Sequence, residues 1–254
     1  LAKVIAIANQ KGGVAKTTTA VNIGACLAQL GKKVLLIDID PQGNASSGLG
    51  VDRMNLEHCI YDVLINSMPL NSVARETEIA GLTVIPATIQ LAGAEIELVS
   101  AISREMKLKK ALKGVRDEYD FIFIDCPPSL GLLTLNALTA ADSLIIPIQC
   151  EYYALEGLGQ LLNTVQLVQK HLNPQLELEG VVLTMFDART NLSIQVVDEV
   201  KNYFKGKVFA TIVPRNVRLS EAPSHGKPVI TYDPRSRGAE VYFELAKEVM
   251  ENGD

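Results

Sequence analysis

The chain has 254 residues, 48% apolar and 21% charged, enough for a sizeable globular core. Its apolar runs are short and broken by charge or proline, so none reaches the roughly 20 residues that cross a bilayer, and no basic-then-apolar leader precedes the first strand-like run. A net charge of −5 argues against indiscriminate nucleic-acid binding, yet residues 185–237 hold nine Lys/Arg against five Asp/Glu, which permits one basic face on an acidic protein.

Taken in chain order, short β-branched runs alternate with longer amphipathic ones. Strands are expected at 4–8, 34–38, 82–85, 121–125, 143–148, 181–184 and 208–212. Most are apolar throughout, the pattern of strands covered on both faces of a parallel sheet. Helices are expected at 17–30, 102–115, 132–140, 154–171 and 192–204. In the fourth of these, Leu155, Leu158, Leu161, Leu162, Val165 and Val168 form one stripe that belongs to the core. The alternation predicts an α/β fold, a doubly wound and mostly parallel twisted sheet flanked by helices, with ligands at the carboxyl ends of its strands. No linker divides the chain, so residues 1–254 read as a single domain. Cys26, Cys59, Cys126 and Cys150 form no CxxC pair, which fits a reducing cytoplasm and small buried side chains.

The loop between the first strand and first helix carries KGGVAKTT, from Lys11 to Thr18. A loop in this place delivers backbone N–H groups to a helix N-terminus, where the dipole also favours an anion. Gly12 and Gly13 let the backbone approach a phosphate, Lys16 reaches the outer phosphates, and the Thr17 hydroxyl suits Mg²⁺. The common pattern GxxxxGK[ST] fails, because Gln10 and Ala15 occupy its glycine positions. Asp125 closes an apolar strand, where a carboxylate can hold a metal-bound water. Asp38 and Asp40 close another, with period-two spacing sending both to one side. Asp38 reads either as metal-side support or as a loop anchor.

Read together, QKGGVAKT from Gln10, LLIDIDPQGN from Leu35 and FIFIDCPP from Phe121 resemble the deviant Walker A ATPases of the ParA/MinD family. The stretches QCEYYALEG from Gln149 and PRNVRLSEAPSHGKP from Pro214 are similar to its chromosome-partitioning branch. That resemblance covers essentially the whole chain and implies an ATP- and Mg²⁺-dependent hydrolase of the P-loop type. It implies a cofactor cradle from Lys11, Gly12, Gly13, Val14, Ala15, Lys16, Thr17 and Thr18, with Pro214, Arg215 and Asn216 beside the base. Thr17, Asp38 and Asp125 serve the metal, and Lys11, Lys16 and Asp40 serve catalysis. By the same resemblance, Lys11 crosses an ATP-dependent homodimer to the partner's nucleotide, and Arg189 and Arg218 contact double-stranded DNA without regard to sequence. Lys227, Arg235 and Arg237 support them. A ParB-type centromere-binding partner, a cytoplasmic and nucleoid-associated location and no membrane partner follow from it.

Two other classes share the loop. A membrane-surface switch of the MinD kind needs a basic amphipathic C-terminal helix, whereas VYFELAKEVMENGD from Val241 is mainly acidic. An iron–sulfur protein needs paired thiolates, and Cys126 has no convincing second ligand. Family members usually carry glycine where this chain has Ala15, and the added methyl group is strained if φ is positive there.

Overall fold

A computed structural model describes residues 1–252, so the last two residues of the acidic C-terminal stretch lie outside the described residues. The strands are β1 (Lys3–Ile7), β2 (Val34–Asp38), β3 (Arg75–Glu76), β4 (Leu82–Ile85), β5 (Phe121–Asp125), β6 (Ser143–Gln149) and β7 (Glu177–Thr184). They form one seven-stranded sheet in the order β3-β4-β2-β5-β1-β6-β7, parallel except for β3. The helices that cover it are α1 (Lys16–Gln29), α2 (Asn44–Gly48), α3 (Ile60–Asn66), α4 (Leu70–Val73), α5 (Leu91–Glu97), α6 (Lys107–Leu112), α7 (Leu132–Ala140), α8 (Leu158–His171), α9 (Asn191–Phe204), α10 (Val217–Glu221), α11 (Val229–Tyr232) and α12 (Arg237–Glu251).

The unbroken apolar strands follow from burial on both faces. Along β1, Val4 and Ala6 enter one core with α7 and α8, while Ile5 and Ile7 enter the other with α1 and α12. The expected doubly wound sheet is therefore the observed one. The stripe on α8 is core, with Leu158, Leu161, Val165 and Val168 buried.

Local differences from the expected elements have local causes. The fourth expected helix begins at Leu158, not at residue 154, because Gly157 takes φ +76° and breaks the approach. The 102–115 helix is shortened because Ser103 adopts φ +52° and a 3-10 turn (Arg104–Met106) precedes α6. Residues 208–212 lie against β7 but make no strand. Val208 bridges Val181, and Phe209 N donates to Val181 O. The next N–H groups, of Ala210 and Thr211, are instead taken by the Glu248 carboxylate at 2.8 and 2.7 Å, so the ladder stops. Phe209 comes this close because residue 180 is glycine; a Cβ there would meet its ring at 2.6 Å. Strand β3 was not expected, being too short to carry a pattern.

Candidate functional site

The carboxyl ends of β1, β2, β5, β6 and β7 bring the motifs together. β2 and β5 pair in register, with Asp38 opposite Asp125, and Ile7 of β1 lies opposite Asp125 on the other side. Between β1 and α1 the phosphate loop is braced by buried Asn9, a residue that motif reading passed over. Its Nδ2 donates to Pro147 O at 2.8 Å and its Oδ1 accepts from Lys11 N at 3.0 Å. None of the backbone N–H groups from Gly12 to Thr18 donates to a protein acceptor among the described residues. Such a run of free donors at a helix N-terminus is an anion cradle.

Lys16 is buried, and its Nζ donates to Lys11 O at 2.9 Å, folding back over the loop. Burial lowers its pKa, opposed by the charges of Asp125, Cys126 and Asp40. Lys11 itself is half-buried, and its ammonium has no ion-pair partner among the described residues. The chain thus carries one lysine turned into the loop and one left at its edge.

Thr17 Oγ1 donates to Asp125 Oδ2 at 2.8 Å. The other Asp125 oxygen, Oδ1, is buried with no partner, as is Gln10 Oε1. Burial first, and the neighbouring Asp38 charge second, hold the Asp125 carboxyl well above the usual carboxylate range. An orphaned acidic oxygen beside a threonine hydroxyl is a fitting setting for a magnesium ion with its waters. No group of three His, Cys, Asp or Glu side chains converges among the described residues.

Asp38 is placed differently from the metal-side role first expected of it. Its Oδ1 accepts from Asp40 N at 3.1 Å, and its Oδ2 accepts from Ser46 N at 2.9 Å and Ser46 Oγ at 2.7 Å. Ser46 Oγ in turn accepts from Ala87 N at 3.0 Å. Both oxygens are thus engaged in fixing the 40–46 turn, the loop-anchor alternative. Burial raises the Asp38 pKa to about 6 against the pull of these donors. The anchored turn presents Asp40 just beyond β2, where its Oδ1 accepts from Gln42 N at 2.9 Å and its Oδ2 takes no protein hydrogen bond among the described residues.

Ala15 lies at φ +67°, the strained arm of the expectation for this position. A left-handed L-residue costs about 1–2 kcal/mol that glycine would not incur. Ala15→Gly is therefore expected to tighten ATP binding about fivefold, since roughly 1 kcal/mol corresponds to that factor. Titration with a fluorescent ATP analogue checks this, and equal affinities in the two proteins would contradict it.

A cavity of about 470 Å³ opens between the phosphate loop and the segment that follows residue 213. Ala15 and Thr18 line one wall and Pro214, Arg215 and Asn216 the other, so the two expected nucleotide segments do meet. Asn216 Oδ1 caps α10 by accepting from Arg218 N at 2.9 Å, which leaves only its Nδ2–H groups to read a base edge. Arg215 is half in solvent and pairs with Glu151 at 2.6 Å.

The two arginines expected at DNA stand on adjacent segments. Phe186 bridges Pro214, and Arg215 N donates to Phe186 O at 3.0 Å, tying the stretch that carries Arg189 to the one that carries Arg218. Both arginines are exposed, and both are ion-paired within the chain. Arg189 forks onto Asp187 at 2.9 and 2.7 Å, and Arg218 reaches Glu221 at 2.9 Å and Asp233 at 3.1 Å. Arg237 pairs with Glu240 at 2.7 Å, while Lys227 and Arg235 form no ion pair among the described residues.

Comparison with known proteins agrees with this geometry. A family model described as an AAA domain matches residues 2–178. The chain is 69% identical over 253 residues to the sporulation initiation inhibitor protein Soj of Bacillus subtilis, covering 100% of both. It is 58% identical to the chromosome partitioning protein ParA of Myxococcus xanthus, over 98% of this chain and 88% of that protein. Among solved structures, one from Mycobacterium smegmatis described as cobyrinic acid a,c-diamide synthase, with bound ADP and magnesium, is 42% identical. It superposes with a TM-score of 0.86 over 97% of this chain and 93% of that one. With a two-lysine phosphate loop, a seven-stranded sheet and likeness along its whole length, the chain belongs to the Soj/ParA family of chromosome-partitioning ATPases.

Proposed function

We propose that the chain works as one domain spanning residues 1–254, a DNA-segregation ATPase that dimerises on ATP. The observation that carries the proposal is spatial. Ala15 and Thr18 of the cradle share the walls of one cavity with Val217, Leu219 and Ser220 of the Arg218-bearing segment. That segment is tied through Phe186 to the stretch that carries Arg189, so a bound nucleotide would touch the loop and the segment that holds Arg218.

The N–H groups of residues 12–18 and the Lys16 ammonium neutralise the phosphates. Magnesium would supply positive charge against the charge that develops on the phosphates. Thr17 and Asp125 hold it, with Asp38 acting one step back through the turn it anchors. Asp40 orients the attacking water with the oxygen that no protein donor occupies. Pro214 and Asn216 border the base. Lys11 stands free to reach across a two-fold interface to the partner's nucleotide, which ties turnover to dimerisation.

In the dimer, Arg189 and Arg218 of both subunits bind DNA phosphates, with Lys227, Arg235 and Arg237 beside them. Phosphate contacts of this kind ignore sequence and weaken with salt. The carboxylates now paired with the two arginines are the groups DNA must displace. A ParB-type partner then stimulates hydrolysis and returns the protein to the DNA-free state, giving a cytoplasmic protein concentrated on the nucleoid. Arg189→Glu combined with Arg218→Glu is expected to weaken ATP-dependent DNA binding at least about thirtyfold while ATP turnover without DNA stays within about twofold. Each charge reversal costs on the order of 1–3 kcal/mol. Fluorescence anisotropy with random-sequence duplex checks it, and unchanged DNA affinity would remove these arginines from the interface.

The membrane-switch alternative is disfavoured by α12. Its apolar residues Val241, Leu245, Ala246 and Val249 are fully buried in the core shared with α1, so this helix has no apolar face to offer a lipid surface. No described helix is long and apolar enough to cross a membrane.

A further inference from the structure

Thr184 ends β7, 170 residues along the chain from Val14 of the phosphate loop, and is fully buried. Its Oγ1 lies 3.1 Å from Val14 O and 3.3 Å from Ile148 O, so its single hydroxyl proton is shared between the phosphate loop and β6. Neither the loop motif nor the adenine segment contains this residue.

The contact falls on the least secure peptide of the loop. Val14 is flanked by Gly13 at φ +74° and Ala15 at φ +67°, both in the left-handed region. Glycine is content there, but an L-residue is not, and rotation of the 14–15 peptide plane would relieve Ala15. In a trans peptide the C=O and the following N–H point in opposite directions. A hydroxyl that holds the Val14 carbonyl toward β7 therefore aims the Ala15 N–H away from β7. That N–H meets no protein acceptor, in keeping with the free donors from Gly12 to Thr18.

We propose that Thr184 is a positioning residue for nucleotide binding: its hydroxyl tethers the Val14 carbonyl and keeps the strained Ala15 N–H directed at phosphate. The proposal rests on the nucleotide reading of the loop. It also makes the tether matter more in this chain than in one with glycine at residue 15. With alanine the untethered loop spends most of its time in the relieved, non-binding form. With glycine both forms are comparable, and the tether decides less.

The test is a double-mutant cycle on Mg·ATP affinity, read with a fluorescent ATP analogue. Thr184→Val keeps the shape of the side chain and removes the hydroxyl. It is expected to weaken binding about tenfold in this chain and only about threefold in the Ala15→Gly background. Thr184→Ser, which keeps the hydroxyl, should bind within about twofold of the parent. Thermal melts of all variants accompany the titrations, because a residue that only packs would lower the melting temperature while leaving the affinity of the folded fraction alone. Equal losses in the two backgrounds, or a Ser variant as weak as the Val variant, would overturn the proposal. A parent chain that bound no Mg·ATP would overturn the nucleotide reading and the proposal with it.

Discussion

Asp40→Ala is expected to lower ATP turnover by about a hundredfold or more while leaving ATP affinity within a few-fold. The magnitude is that of removing a group that orients or deprotonates the attacking water, typically about 10²–10⁴. The residue suits the role because the structure around it is spent on placing it. Asp38 holds the Asp40 N–H and, through Ser46, the far side of the same turn. Asp40 keeps one oxygen clear of protein donors. It lies outside the strand and outside the phosphate cradle, so its loss removes no phosphate contact. Phosphate release and analogue titration separate the two effects. Loss of affinity in proportion to loss of turnover would instead assign Asp40 to nucleotide binding.

Lys11→Ala is expected to reduce turnover about a thousandfold, the lower end of what a trans-acting cation contributes in phosphoryl transfer. Within its own subunit the Lys11 side chain makes no hydrogen bond or ion pair among the described residues. The carbonyl of Lys11 receives Lys16 Nζ, and its N–H is fixed by Asn9, and alanine preserves both. ATP binding to the single subunit should thus survive. In the unaltered protein, turnover per subunit should rise with protein concentration, and in the mutant it should stay flat. Steady-state phosphate release across a concentration series measures both. A Lys11→Ala protein that turns over at the parent rate would remove the trans-acting lysine.

Strands and cores were legible in the sequence because a parallel sheet buried on both faces writes continuous apolar runs, as β1, β2 and β5 do. The phosphate loop was legible because its lysines and glycines are close in sequence. What escaped was set by single backbone angles and by partners distant in sequence. Gly157 and Ser103 cut helices that periodicity alone would extend. Glu248, in α12, takes the N–H groups that residues 210 and 211 would otherwise give to a strand. Asp38 has the composition of a metal ligand, and only its bonds to Ser46 reveal an anchor. Asn9 and Thr184 brace the loop through carbonyls of Pro147 and Val14, which no motif records. The sign of φ at Ala15 likewise needed coordinates, although the sequence had already marked it as the position to inspect.

The most direct measurement is binding to random-sequence duplex DNA with and without ATP, at about 50 and 200 mM salt, for this chain and for Lys11→Ala. A protein that joins DNA phosphates only as an ATP-held dimer should bind with ATP, weaken steeply between the two salts, and lose binding in the mutant. Binding of equal strength without ATP, or undiminished in Lys11→Ala, would contradict a nucleotide-driven two-subunit switch.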